Sequence, residues 1–349
     1  MLVSNLLKQC LKTNHRNNLR LTRHFANNNV ADGKQDEESD GRRSTLFFNP
    51  RVQQLLKDLT TVDLEKVFQA KKYQEKLRTP KYKFMTTEEL EEALQETAQK
   101  AEEQLQMPPV LPRREEKTEI LARDSLLKDW DPEKSTYIFT DITFGLSDQE
   151  RLIVKRDPEG TLSKATWEER DRINQLYFPF PGRKWIMPKM FEPEYLEDLL
   201  KREEYMFILD RACVQFEPNH PDYIDCTQKT YEYINEKKAF DKLRSTRHFG
   251  PMAFHLASTK QIDNLVLECL QKERIDDAAR AVQLLHLIHP DCASVDVPLS
   301  EQNKLEFLKN YAKKDSKKHG AIELAIQAYE ELNRQKEEVK RNVEEAHGS

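Results

Sequence analysis

The sequence predicts a mainly α-helical protein with a small antiparallel β element near the middle and extended terminal segments. Two capping boxes, Thr86 to Glu89 and Thr166 to Glu169, open helices. Apolar residues recur at helical spacing in the last third of the chain, and two β-rich runs near residue 140 are joined towards a Pro-Glu-Gly turn.

In the first capping box Thr86 and Glu89 satisfy each other's exposed amides, so a helix should run to about Gln106. Leu90, Ala93, Leu94, Thr97, Ala98, Ala101 and Leu105 share one face of it, Glu and Gln cover the other, and Pro108-Pro109 forbids continuation. Thr136 to Thr140 and Arg151 to Val154 read as strands, and Asp157-Pro158-Glu159-Gly160 is a turn leading to a short return strand. Thr166 starts a shorter helix that stops near Pro179, and the indole of Trp167 just inside the cap is expected in the core. Ile262 to Leu270 and Ile275 to Ile288 form a helical hairpin, followed by helices over Glu301 to Tyr311 and Ala321 to about Val339.

The amino terminus has a different character. Residues 1 to 31 carry Lys8, Lys12, Arg16, Arg20 and Arg23 and no acid before Asp32, with Leu2, Leu6, Leu7, Leu11 and Leu19 supplying an apolar stripe. An Arg-rich, acid-poor amphipathic helix of this kind is a mitochondrial presequence; the alternative is a basic tail that binds nucleic acid. Arg23-His24-Phe25-Ala26 places an Arg three residues before a cut between Phe25 and Ala26. The chain then divides into a presequence over 1–25, a flexible linker over 26–45, an N-terminal helical segment over 46–120 and a small β-containing segment over 121–165. A central helical core over 166–295 and C-terminal helices with a charged tail over 296–349 complete it.

Composition narrows the function. Of 349 residues 38% are hydrophobic and 34% charged, a balance that favours solvated helix faces and contact surfaces over a compact apolar enzyme. No stretch approaches the roughly 20 apolar residues of a membrane span. The five cysteines, Cys10, Cys213, Cys226, Cys269 and Cys292, are odd in number and widely spaced, which points to reduced thiols. Removal of residues 1–25 takes away five positive charges and no negative ones, moving the net charge from -5 to -10. Such a chain should bind mainly proteins, and RNA only locally.

Templates for chemistry are missing. The eight glycines come no closer than Gly33 and Gly41, so no phosphate-binding loop can be written, and there is no G-x-S-x-G elbow or H-E-x-x-H pair. His286, His289 and Cys292, with Asp291, could be brought together as metal ligands; the plainer reading puts His286 on a core helix that His289-Pro290-Asp291 ends. No metal, cofactor, small-molecule substrate or catalytic residue is assigned. The densest basic segment is Lys237, Lys238, Lys242, Arg244 and Arg247 around one acid, Asp241, interleaved with Tyr231, Tyr233, Phe240 and Phe249. It is a candidate rRNA or partner contact, in which Arg244 and Arg247 would share a helix face; the alternative is a solvated face with core aromatics.

Several segments in order carry a family resemblance. They are Met107-Pro108-Pro109-Val110-Leu111, Phe139-Thr140-Asp141-Ile142, Gly160-Thr161-Leu162, Trp167-Glu168-Glu169-Arg170-Asp171-Arg172 and Tyr177-Phe178-Pro179. Further along come Gln215-Phe216-Glu217-Pro218, Leu243-Arg244-Ser245-Thr246-Arg247, Ile275-Asp276-Asp277-Ala278 with His289-Pro290-Asp291, and Ile322-Glu323-Leu324. From about Phe47 to Tyr329 the chain resembles the mitochondrial ribosomal small-subunit protein twenty-two family. The resemblance implies a mitochondria-specific component of the small ribosomal subunit in the matrix, lying against other small-subunit proteins and the small-subunit rRNA, with no catalytic residue. The competing reading is a free helical adaptor of the matrix, using the two stretches between Ile262 and Ile288 and the tetratricopeptide-like helix Ala325 to Leu332 as a groove.

Overall fold

The computed structural model describes residues 41–68, 82–115, 119–128, 134–300 and 302–347. The expected presequence, with Phe25 and Ala26, lies outside the described residues. Residues 41–47 are helical and end on the buried Phe47, so the last part of the expected linker belongs to the folded body.

After the helical stretch 41–47, twelve further α-helices follow in chain order among the described residues. Helix α1 (Pro50–Thr60) starts on the side chain of Asn49 with Pro at its first position, and α2 (Leu64–Val67) is a single turn capped by Asp63. Helix α3 (Thr87–Gln104) has the expected Thr86/Glu89 capping box. The sheet comes next, from β1 (Ile120–Arg123), β2 (Tyr137–Thr140), β3 (Ile153–Arg156) and β4 (Thr161–Lys164). Helix α4 (Trp167–Tyr177) has the second capping box, with Glu169 N–H donating to Thr166 Oγ1 and Thr166 N–H to Glu169 Oε2. Helices α5 (Pro193–Lys201), α6 (Tyr205–Gln215), α7 (Pro221–Lys237), α8 (Phe249–Ser258), α9 (Asp263–Gln271), α10 (Ile275–Ile288), α11 (Lys304–Lys314) and α12 (His319–His347) follow.

The core lies among the later helices. Phe249, Met252, Phe254, Val266, Cys269, Val282, Leu308, Ile322 and Ile326 are buried together, and α1 brings Val52, Leu56 and Leu59 into the same cluster from the far end of the sequence. Helix α9 packs on α10 and α12, and α11 packs on α10 and α12 in turn, which closes the four into a ring. The adaptor reading fails on this point. Its groove between Ile262 and Ile288 is filled by the chain itself, since Ile262, Leu265, Val266, Leu270, Ala281, Val282 and Leu285 are all buried.

The four strands form one antiparallel sheet in the order β1-β4-β3-β2. β3 begins at Ile153, two residues later than the apolar run suggests, because the guanidinium of Arg151 turns inward to donate to the carbonyls of Asp141 (2.7 Å) and Thr143 (3.0 Å). One sheet face sends Lys155 to Glu169 of α4 at 3.0 Å, and the other leaves Tyr137 and Phe139 exposed. Gly160, at φ +81°, makes the turn into β4, and its carbonyl accepts from Asp124 N–H at 3.0 Å.

Two packing expectations are corrected. Trp167 is half-buried, not core: its Nε1 donates to Glu115 O at 2.8 Å, and the guanidinium groups of Arg114 and Arg170 lie 4.3 Å and 5.4 Å from its ring. In α3 only Ala101 is buried, and Leu90 and Leu94 face outward.

Candidate nucleic-acid interface

The basic segment begins at the end of α7, which is entered through His220 and Pro221 and left at Lys238 in the left-handed conformation (φ 54°). A long-chain residue there turns the backbone sharply, so Lys237 and Lys238 are presented side by side at the helix end, both exposed. Lys237 Nζ lies 5.7 Å from the half-buried ring of Tyr233. A short 3-10 turn, Phe240–Lys242, carries the exposed Lys242, whose ammonium meets Glu203 at 3.0 Å.

Arg244 is a correction. The chain from 239 to 247 is a 3-10 turn followed by bends, not a helix, so Arg244 and Arg247 do not share a helix face. The Arg244 side chain is only 2% exposed, with its guanidinium 2.9 Å from Glu268 Oε2 and 3.3 Å from Asp277 Oδ2. Its Nε lies 3.5 Å from Asp241, and the group stacks 4.9 Å from the Phe249 ring. Burial pushes the Asp277 carboxyl up and the Arg244 charge opposes the rise. Burial also pushes the neighbouring Cys269 thiol up to about 12, which keeps it protonated at neutral pH. Arg244 therefore neutralises two buried carboxylates and has no face for a phosphate. Arg247 is half-buried and bound to Asp210 at 2.5 Å.

The expected aromatic partners divide in the same way. Tyr231, Phe240 and Phe249 are buried, and of the four only Tyr233 lies near the lysines with part of its ring accessible. In exchange, the fold adds cations that a linear reading misses. Lys272 bridges Asp241 and Glu268, and its ammonium is pulled down by burial and then by the positive charges of Arg274 and Lys66. Lys66, from α2, and Arg274, from the turn after α9, are both exposed. Both lie close enough to Lys272 to act on its charge, and Lys272 in turn reaches Asp241, the neighbour of Lys242 in the chain. Other basic residues are tied up: Lys314 meets Asp296 at 2.9 Å, Lys318 Nζ donates to Asn264 Oδ1 at 2.7 Å and Arg183 meets Asp148 at 3.3 Å.

A second group of arginines joins the sheet to the helices. Arg170 Nη2 donates to the carbonyls of Asp148, Gln149 and Arg151 at 2.8–3.2 Å, and Arg151 stacks 3.5 Å from the Phe178 ring. Arg114 bonds Asp171 at 2.8 Å and lies 3.6 Å from Glu217, whose carboxyl is pushed up by burial. His220, next to this cluster, is pushed down to about 4 by burial and by the charge of Arg114, so it stays neutral and caps α7 by accepting from Asp222 N–H at 3.1 Å.

The histidine and cysteine candidates are not assembled into a metal site. His286 pairs with Ser294 Oγ at 2.7 Å and His289 with Ser258 O at 3.1 Å, and among the described residues no group of three or more His, Cys, Asp or Glu could hold a metal ion. No described helix is long and apolar enough to cross a membrane.

A family model described as mitochondrial 28S ribosomal protein S22 matches residues 45–290. The chain belongs to this family. The match spans α1 to α10, so it includes the arginine-rich junction, the buried Arg244 and the basic segment. Two relatives are named small ribosomal subunit protein mS22: one from Bos taurus, 41% identical over 290 residues (83% of this chain and 80% of the relative), and one from Mus musculus, 39% identical over 291 residues with the same coverage. Within the S22-family body, the sequence words that carry the resemblance sit at structural positions. Gly160 makes a turn, Trp167 and Arg170 stack, Asp171 and Glu217 hold Arg114, and Asp277 holds Arg244.

Proposed function

We propose that the chain is a structural constituent of the small subunit of the mitochondrial ribosome, located in the matrix, where it joins neighbouring ribosomal proteins to the small-subunit rRNA. The observation that carries this reading is the family match over residues 45–290, and the surface is consistent with it. A net negative chain with a local cationic patch suits contact with basic neighbours over most of its area and with phosphates at one place. No catalytic step is assigned, because the perturbed titratable groups described above each neutralise, cap or brace another part of the fold.

The RNA-facing set is the exposed Lys237, Lys238 and Lys242, with the exposed Lys66 and Arg274 around Lys272 as further candidates. These residues would position the protein on rRNA without reading its sequence. Replacing Lys237, Lys238 and Lys242 together by Glu should leave the circular dichroism spectrum unchanged, since all three are exposed. Binding to small-subunit rRNA should weaken, most at low salt, and the slope of log affinity against log salt should become shallower by about 2 to 3. An unchanged slope in a folded variant would remove this patch from the RNA interface.

A further inference from the structure

We propose that the amino-terminal half of α3, with Phe84 and Met85 ahead of it, is a docking surface for a basic segment of a neighbouring protein, one whose apolar residues are flanked by Lys or Arg. The inference rests on the small-subunit reading and names the chemistry of one partner.

Helix α3 has one apolar stripe. At about 100° per residue, Leu90, Leu94, Ala98, Ala101 and Leu105 fall on a single side. Among the described residues, only the carboxyl end of this stripe is covered: Ala101 is buried, Leu105 is half-buried, and Glu102 is anchored to Lys57 of α1 at 3.0 Å. Further up the same stripe, Leu90 is 49% and Leu94 53% exposed, and Phe84 and Met85 continue the apolar surface beyond the helix start. A helix of this length takes most of its stability from packing an apolar face, so a stripe that runs off the chain's own core is a surface for another molecule.

The charge around the stripe selects the occupant. Helix α3 carries Glu88, Glu89, Glu91, Glu92, Glu96, Glu102 and Glu103 against the single base Lys100. Glu91, which is exposed, borders the stripe beside Leu94. Phosphate backbones and anionic lipid surfaces are repelled from such a face, and a second copy of the chain would set like charges against each other. A basic protein segment gains on both counts, because its apolar residues cover Leu90 and Leu94 while its cations meet the glutamates.

The test places a photo-reactive residue at Leu94 of the full-length chain and, as a control, at the exposed Gln99, roughly 140° round the helix. Small subunits are isolated after irradiation and the joined peptides are sequenced. The expected product from position 94 is a segment of another protein in which apolar residues alternate with Lys or Arg, at a yield about tenfold above that from position 99. In parallel, Leu90→Asp with Leu94→Asp should keep the unfolding midpoint and reduce retention of the chain on small subunits by about tenfold. Products joined to rRNA, to an acidic or uncharged segment, or to residues 69–81 of the same chain would overturn the proposal, as would equal yields from the two positions. A wild-type chain absent from small subunits would overturn the parent reading as well, whereas a wild-type chain present there without the expected product overturns the docking surface alone.

Discussion

Arg244→Ala should unfold the helical core, with a loss of about 3 to 5 kcal/mol. The substitution takes from Glu268 and Asp277 the buried cation they share, leaving Glu268 with Lys272 and Asp277 with Arg280, both at the rim. Denaturant unfolding of the purified variant measures the loss. A triple variant, Arg244→Met with Glu268→Leu and Asp277→Leu, should recover most of the stability, since removing a whole buried ion cluster is far less costly than removing one partner. A wild-type midpoint for Arg244→Ala would contradict this, and would return Arg244 to the set of surface contacts.

Gly160→Ala should have the next largest effect, about 2 to 4 kcal/mol. A Cβ at this position would lie 2.0 Å from the carbonyl oxygen of Asp124, which is backbone and cannot swing away, and φ is +81°. The turn would have to open and release the pairing of β1 with β4, where Arg123 faces Thr161. Gly145 provides the control. It has φ +86° but nothing near its added Cβ, so Gly145→Ala carries the conformational cost alone and should lose about 1 to 2 kcal/mol. Thermal melts of both variants, with hydrogen exchange over residues 119–165, separate the two costs. Equal losses would show that the approach of Asp124 to Gly160 does not constrain the turn.

How much of this was legible in the sequence depends on how far apart the interacting groups lie. Both capping boxes could be read directly because Thr and Glu satisfy one another within four residues, and the hairpin of α9 and α10 could be read from apolar spacing alone. The turn before β4 was readable for the same local reason. β1 was not: it has four residues, all exposed, and exists by pairing with a strand some forty positions later. The leucines of α3 have the spacing of a core face, but spacing says nothing about whether the chain brings anything to cover them. Trp167 carries the same lesson, since two arginines stack on a ring that hydrophobicity alone assigns to the interior.

The basic segment shows where linear charge reading stops. Five cations around one acid suggest a phosphate surface, but the carboxylates that hold Arg244 lie 24 and 33 residues downstream, and Arg247 is held by an acid 37 residues upstream. Sequence density of charge therefore overstates the surface in one place and, at Lys66 and Arg274, understates it in another. The lysines at 237, 238 and 242 remain exposed because they follow a helix end and a short turn, positions from which a long side chain can reach neither a buried acid nor the core.

The most direct test of the central claim is sedimentation of mitochondrial lysate through a sucrose gradient, with the chain followed by antibody before and after ribonuclease digestion. A structural constituent of the small subunit peaks with the small-subunit rRNA and moves towards the top of the gradient once the RNA is cut. A chain that stays near the top in the undigested lysate, apart from the small-subunit peak, would contradict the account.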